Sequence, residues 1–248
     1  MKKTLLLGAV LFAAPAQAAV VTWDVFSWPG NNNTSVSSVT ATAAGGQKIN
    51  ISARLWTATP PDLLTNLSDF NQVTTVRRTN GSNATNGGLG VTGGGSTEQV
   101  DTNHVNRREA FIVESSTILK LTSLKLNMID DNDTIQIYGV NADGSLDDLG
   151  FANRIRGTAP NAIVGATWSG GGAGTLTFTP QLAPYKRLVL TTREGGEENI
   201  QGLTGQGYRL ASISAAVPES ATWAMMVGGF GLLGASMRRS RRTNIVYA

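Results

Sequence analysis

One histidine, no cysteine and a short run of carboxylates bound the chemistry this chain can carry. The absence of cysteine removes Cys–His catalysis, and a lone histidine removes multi-histidine metal sites. A Ser–His–Asp arrangement would need His104 as its base. That residue sits in the polar stretch DTNHVNRRE, and no G-x-S-x-G occurs to present a serine. Paired carboxylates hydrolyse glycosides in other proteins, but acidic residues are too common here to single out a pair. The expectation is a protein that is not an enzyme.

Asp130-Asp131-Asn132-Asp133 places three carboxylates and an amide in one strand connection. Hard oxygen ligands of this kind suit Ca²⁺, and Glu98, Asp101 and Glu109 would join them if the preceding loop folds back. The plainer reading, and the one favoured, has no cofactor: a polar turn between Met128 and Ile135 whose Asp and Asn side chains satisfy local backbone. Asn141 to Asp148 also resembles a calcium loop, yet it lacks the first acid and the bidentate glutamate. A hairpin turn explains it with less. Trp23, Trp28, Trp56 and Trp168 are candidates for stacking on sugar faces. Trp23 lies in an alternating strand and reads as core. Trp28 and Trp168 precede Pro29-Gly30 and Ser169-Gly170, at strand ends a ligand can reach, although core or edge packing is favoured for them too. Arg77-Arg78 and Arg107-Arg108 would suit an acidic polysaccharide or simply stay solvated.

These residues must be positioned by strands. Glycine is abundant, at 29 of 248 residues, and the helix-forming mix of Ala, Leu, Glu and Lys is missing. Alternating or β-branched segments bounded by turn residues predict strands at Val20 to Phe26, Ser37 to Ala43 and Lys48 to Trp56. Asp62 to Phe70 offers one short helix, and Asn80 to Ser96 reads as a surface loop too polar to pack. Three successive strands follow: Ala110 to Glu114, Ile118 to Ile129 and Asp133 to Val140. Leucines alternate with lysines in the second, and the phase breaks at Thr122-Ser123, which predicts a bulge or bend. Asn141-Ala142-Asp143-Gly144 closes the run as a turn. Ile163 to Trp168, Thr175 to Thr179, Arg187 to Thr192 and Tyr208 to Ile213 complete about ten strands. The expected fold is all-β: an antiparallel β-sandwich, jelly-roll-like, with an up-and-down barrel as second choice.

The two ends carry the address. Lys2-Lys3, an apolar stretch from Leu5 to Ala14, and Ala16-Gln17-Ala18 form the three parts of a secretory signal peptide, cut between Ala18 and Ala19. From Ala221 to Met237 no residue is charged, which predicts a transmembrane helix of about 25 Å, short against a ~30 Å hydrocarbon core. Arg238, Arg239, Arg241 and Arg242 follow and hold the C-terminus in the cytoplasm by the positive-inside rule. Without these terminal clusters, Ala19 to Val217 carries 14 basic and 16 acidic residues. The net charge of +3 for the whole chain therefore gives no reason to expect nucleic acid.

Pro218-Glu219, then Trp223-Ala224-Met225-Met226, Gly229-Phe230-Gly231 and the arginine cluster resemble the PEP-CTERM sorting signal. The third motif residue here is Ser220, where the family has proline. The resemblance implies recognition and cleavage by exosortase, a membrane-embedded transpeptidase, in a Gram-negative bacterium that makes exopolysaccharide. Gly88 to Val91, Glu98 to Asp101, Arg108-Glu109 and DNDTIQIYG are loosely similar to the ectodomains of other such proteins.

The expected organisation is thus a signal peptide over 1–18, a β-sandwich ectodomain over 19–216, a sorting signal over 217–242 with its membrane helix over 221–237, and a cytoplasmic tail over 243–248. The sorting residues are Ala18, Ala19, Pro218, Glu219 and the four arginines. The partners are the general secretion machinery, an exosortase-type transpeptidase and exopolysaccharide. A surface or matrix protein with a structural or adhesive role is the expectation. A carbohydrate-binding module with a defined glycan site, with or without calcium, is the rival, and a carboxylate glycosidase comes third.

Overall fold

In a computed structural model, the described residues are 18–25, 34–56, 64–79, 87–92, 99–101, 108–130, 133–153, 163–192, 207–217 and 227–235. Alternation of apolar and polar residues is realised as antiparallel strands almost throughout. They are β1 (Ala19–Asp24), β2 (Ser35–Val36), β3 (Ser38–Thr42), β4 (Lys48–Trp56), β5 (Gln72–Thr79), β6 (Gly88–Thr92), β7 (Val100–Asp101), β8 (Arg108–Asn127), β9 (Thr134–Val140), β10 (Leu146–Asn153), β11 (Ala166–Gly170), β12 (Ala173–Phe178), β13 (Tyr185–Thr191) and β14 (Gly207–Val217). The expected all-β, antiparallel class is what the chain forms.

The strand β8 organises the whole. Its first half pairs with β4 and β13, while its second half pairs with β12 and β14. It therefore belongs to two ladders in turn. The sequence reading divided this stretch into two strands at Glu114 to Thr117. Instead the chain runs through, because Glu-Ser-Ser-Thr contains no Gly, Pro or Asn to reverse it, and these residues bend the strand where it is exposed or half-exposed. β5 makes the same passage, pairing with β4 over Gln72 to Thr74 and with β6 over Thr75 to Thr79. The pairing β4–β8–β14–β6–β5–β4 closes on itself.

One apolar cluster draws from both ladders. Ile49, Ile51, Phe111, Ile137, Leu188 and Leu190 enter it from one, and Trp23, Leu89, Leu124, Leu126, Tyr208 and Ile213 from the other. Each such side chain contributes about 1.5–3 kcal/mol through burial, which suffices for a chain without disulfides. The first ladder is buried on its far face too. There Ala110, Ile112, Tyr138, Val140 and Val189 meet Trp56, Leu64 and Phe70. A 3₁₀ turn, Leu67–Asp69, holds that covering segment through a capping box between Asn66 and Asp69. Its position matches the short helix expected near Phe70. Every residue of β9 is consequently buried.

Two expectations need correction. Gly88 to Thr92, assigned above to a polar surface loop, is β6, with Leu89 and Val91 in the core. Its glycines masked the signal, and Gly88 is required there because its φ is +149° and a Cβ would meet Leu210 O at 3.0 Å. Arg108, grouped above with surface arginines, is 2% exposed. The remaining described segment is a helix over 227–235, lying within the span 221–237 expected to cross a membrane. Among the described residues no helix is long and apolar enough to cross a membrane.

Candidate functional site

Two places gather polar groups. The first surrounds the strand pair β7–β14. Gly207 is the register partner of Asp101. The Gly207 amide donates to Asp133 Oδ1 at 2.7 Å, and the Asp101 amide donates to Glu109 Oε2 at 3.1 Å. Asp101, Glu109 and Asp133 are all buried. The loop folding envisaged from the sequence does bring Asp101 and Glu109 toward the Asp130–Asp133 connection. Asp133 also accepts the Asp130 amide on Oδ2 at 2.6 Å. Both of its oxygens thus serve backbone: Oδ2 takes the local Asp130 amide of the polar-turn reading, while Oδ1 takes the Gly207 amide from a distant strand. Burial, aided by repulsion from Asp130, raises the Asp133 carboxyl to about 7 against the opposing pull of the two amides. Among the described residues no group of three His, Cys, Asp or Glu side chains is arranged to hold a metal ion.

Arg108 stands behind this cluster. Its Nε donates to Thr192 O at 2.7 Å. Its charge lowers the pKa of both Tyr138 and Tyr208, although burial dominates and raises both phenols. Thr191 Oγ1 donates to Glu109 O at 2.6 Å. This is a structural network that ties β8, β13 and β14 together at their ends. Arg77 is half-buried and Arg78 buried.

The second place lies on the outer face of the other ladder. Register aligns two rows of polar side chains across the strands, all hydroxyl-bearing except Lys125. One runs Thr167, Thr177, Ser123, Ser214, and the Ser214 hydroxyl meets Thr22 Oγ1 at 2.8 Å. The other runs Ser169, Thr175, Lys125, Ser212. At ordinary sheet spacing the hydroxyls repeat every ~4.8 Å across strands.

A depression opens at the end of this face, and the bulge expected at Thr122 helps to create it. Leu121 pairs with Ala215 and Ser123 with Ser214, so Thr122 is left over. β12 leaves β8 after Thr177, and the chain returns only where the Leu182 amide donates to Leu121 O at 3.1 Å. Between these points residues 178–181 have no ladder pairing to β8, and the segment 179–184 lines the depression. The depression there is shallow and open to solvent, with a volume of about 620 Å³. Phe178, Pro180, Leu182 and Pro184 supply apolar wall, while Thr122, Thr177 and Gln181 supply polar groups. Lys120 is the charged residue among those lining it. Thr122 Oγ1 is buried with no hydrogen-bond partner among the described residues. Sequence reasoning missed this site; its available traces were the phase break at Thr122 and the prolines at 180 and 184.

Among the described residues, Trp23, Trp56 and Trp168 do not form a platform. Trp23 and Trp56 are buried. Trp168 is half-buried against the core, its Nε1 bonded to Gly170 O at 2.9 Å and its ring lying over Gly174. Ala18 is exposed and Ala19 opens β1. Glu98, His104, Arg107, Asp131, Asn132, Trp28, Pro218, Glu219 and the four tail arginines lie outside the described residues.

No family model and no curated protein matches the chain. Among solved structures it is similar to the C-terminal domain of a chitobiase from Bacteroides fragilis, at 9% identity and a TM-score of 0.29. That likeness covers 45% of this chain and 66% of the other.

Proposed function

We propose that this is an exported bacterial surface or extracellular-matrix protein, sorted through a C-terminal exosortase-type signal, with a structural or adhesive role linked to exopolysaccharide. The observation that carries this reading is the helix 227–235. Val227, Phe230, Leu232 and Leu233 are 57–75% exposed on it. Around Gly228, Gly229, Gly231 and Gly234 the space is open. A helix apolar on all sides needs a non-aqueous or close-packed partner, which a bilayer and a membrane transpeptidase both offer. The arginines beyond it keep the C-terminus of the inner-membrane precursor cytoplasmic. The secretion machinery removes 1–18, and cleavage near Pro218-Glu219 releases the body outside. The body is a jelly-roll-like sandwich in which β5 and β8 cross between layers.

Mass spectrometry of the extracellular form tests this. The expected product starts at Ala19 and ends near Glu219. Glu219→Gln is expected to leave an uncleaved, membrane-bound form. Recovery of the native chain from the cytoplasm with Met1 and Ala248 both present would overturn the reading. A defined glycan site is the second reading, and the depression beside Lys120 favours it.

A further inference from the structure

We infer that the depression between β8 and the segment 179–184 binds an acidic sugar residue of a carboxylated polysaccharide, with Lys120 as its charge partner. This inference rests on the matrix reading above and names the ligand class at one site. The argument begins with charge. The body carries more acid than base, yet no carboxylate lines this depression, and Lys120 is exposed at its edge. No carboxylate among the described residues pairs with Lys120. A lysine so placed selects for an anion.

The rest of the lining selects for a sugar. Pyranose rings present an apolar face of C–H groups and a rim of hydroxyls. Leu182 and Pro184 offer a surface for the former, and the exposed Thr177 and Gln181 offer donors and acceptors for the latter. The depression is about 620 Å³ and open to solvent, so it would hold one residue of a polymer while its neighbours lie outside. The site is also open to the hydroxyl rows of Thr177 and Ser123 on the same face. A polymer can therefore continue across the sheet from one anchored residue. Lys125 does not line the depression, and Asp24 of β1 is exposed beyond the intervening β14, so Lys120 is the cation assigned to the anchor.

Affinity electrophoresis of the full chain in detergent tests the assignment, with polygalacturonate, neutral dextran and inorganic polyphosphate as probes. Polygalacturonate is expected to retard the protein most. Lys120→Glu is expected to weaken that binding ~10-fold or more, the scale of one hydrogen bond to a charged group, and Lys120→Arg to retain most of it. Thr177→Val, at an exposed lining position, is expected to weaken it less while leaving the melting temperature near wild type. Equal retardation by polyphosphate would reduce the site to a bare charge and overturn the sugar assignment. Binding to none of the probes, or binding that Lys120→Glu leaves unchanged, would overturn the site altogether. Neither result touches the extracellular, processed form that tests the sorting proposal, so the two fail separately.

Discussion

Asp133 makes stability depend on pH in a direction opposite to that of most carboxylates. Its folded pKa is raised from 3.8 to about 7. The folded state therefore holds a proton that the unfolded chain has already released between these values. Stability from this group is complete below about pH 3.8, declines as pH rises, and reaches its floor above about 7. At 1.36 kcal/mol per unit, the decline between about pH 4.5 and pH 8 is ~3 kcal/mol. Asp133→Asn mimics the protonated acid. Its carbonyl still accepts one backbone amide, but its NH2 cannot accept the other as the acid's second oxygen does, so one backbone N–H loses its partner. Urea unfolding in EDTA at several pH values, on both proteins, isolates the effect from every other titration. At low pH the variant is expected to lie ~1–3 kcal/mol below wild type for that lost acceptor, and the difference to move by ~3 kcal/mol in the variant's favour by pH 8. Parallel stability curves would refute the reasoning. Repeating the measurement at pH 8 with excess calcium tests the metal alternative for Asp130, Asp131 and Asp133. A cation bound there would restore wild type and leave Asp133→Asn unmoved.

Two further variants probe the frame. Phe111→Ala removes a fully buried ring between Ala53 of β4 and Leu190 of β13, and is expected to cost ~3–5 kcal/mol in chemical denaturation. Gly165→Ala places a Cβ 1.7 Å from Thr179 O, on a residue with φ of +76°. Because the obstacle is backbone, a loss of ~2 kcal/mol or more is expected, and a melting temperature within a degree of wild type would contradict the placement of the segment that walls the depression.

Periodicity alone specified much of this molecule. Ile49, Ile51 and Ala53 alternate with polar neighbours, and that pattern fixes both strand and inward face before any partner is known. The break at Thr122 announced a bulge for the same reason, since an extra residue shifts the phase of all that follow. Asn141 to Gly144 contained its own turn, completed by Asn141 N–Ser145 O at 2.9 Å and Gly144 at φ +90°. Such features are local, and local sterics settle them. Partnership is different. Nothing in Arg108-Glu109 reveals that Thr192, Tyr208 and Asp101 will close over them, because those contacts join residues far apart in the chain. Gly88 to Thr92 looked like loop until β14 and β5 flanked it, and Glu114 to Thr117 looked like a break until two ladders claimed the strand on either side. The depression beside Lys120 is likewise a product of where β12 departs from β8 and where Leu182 returns. Sequence set which way each side chain faces along its strand; only the folded arrangement decided what it faces, because burial and charge pairing are properties of neighbours brought together in space.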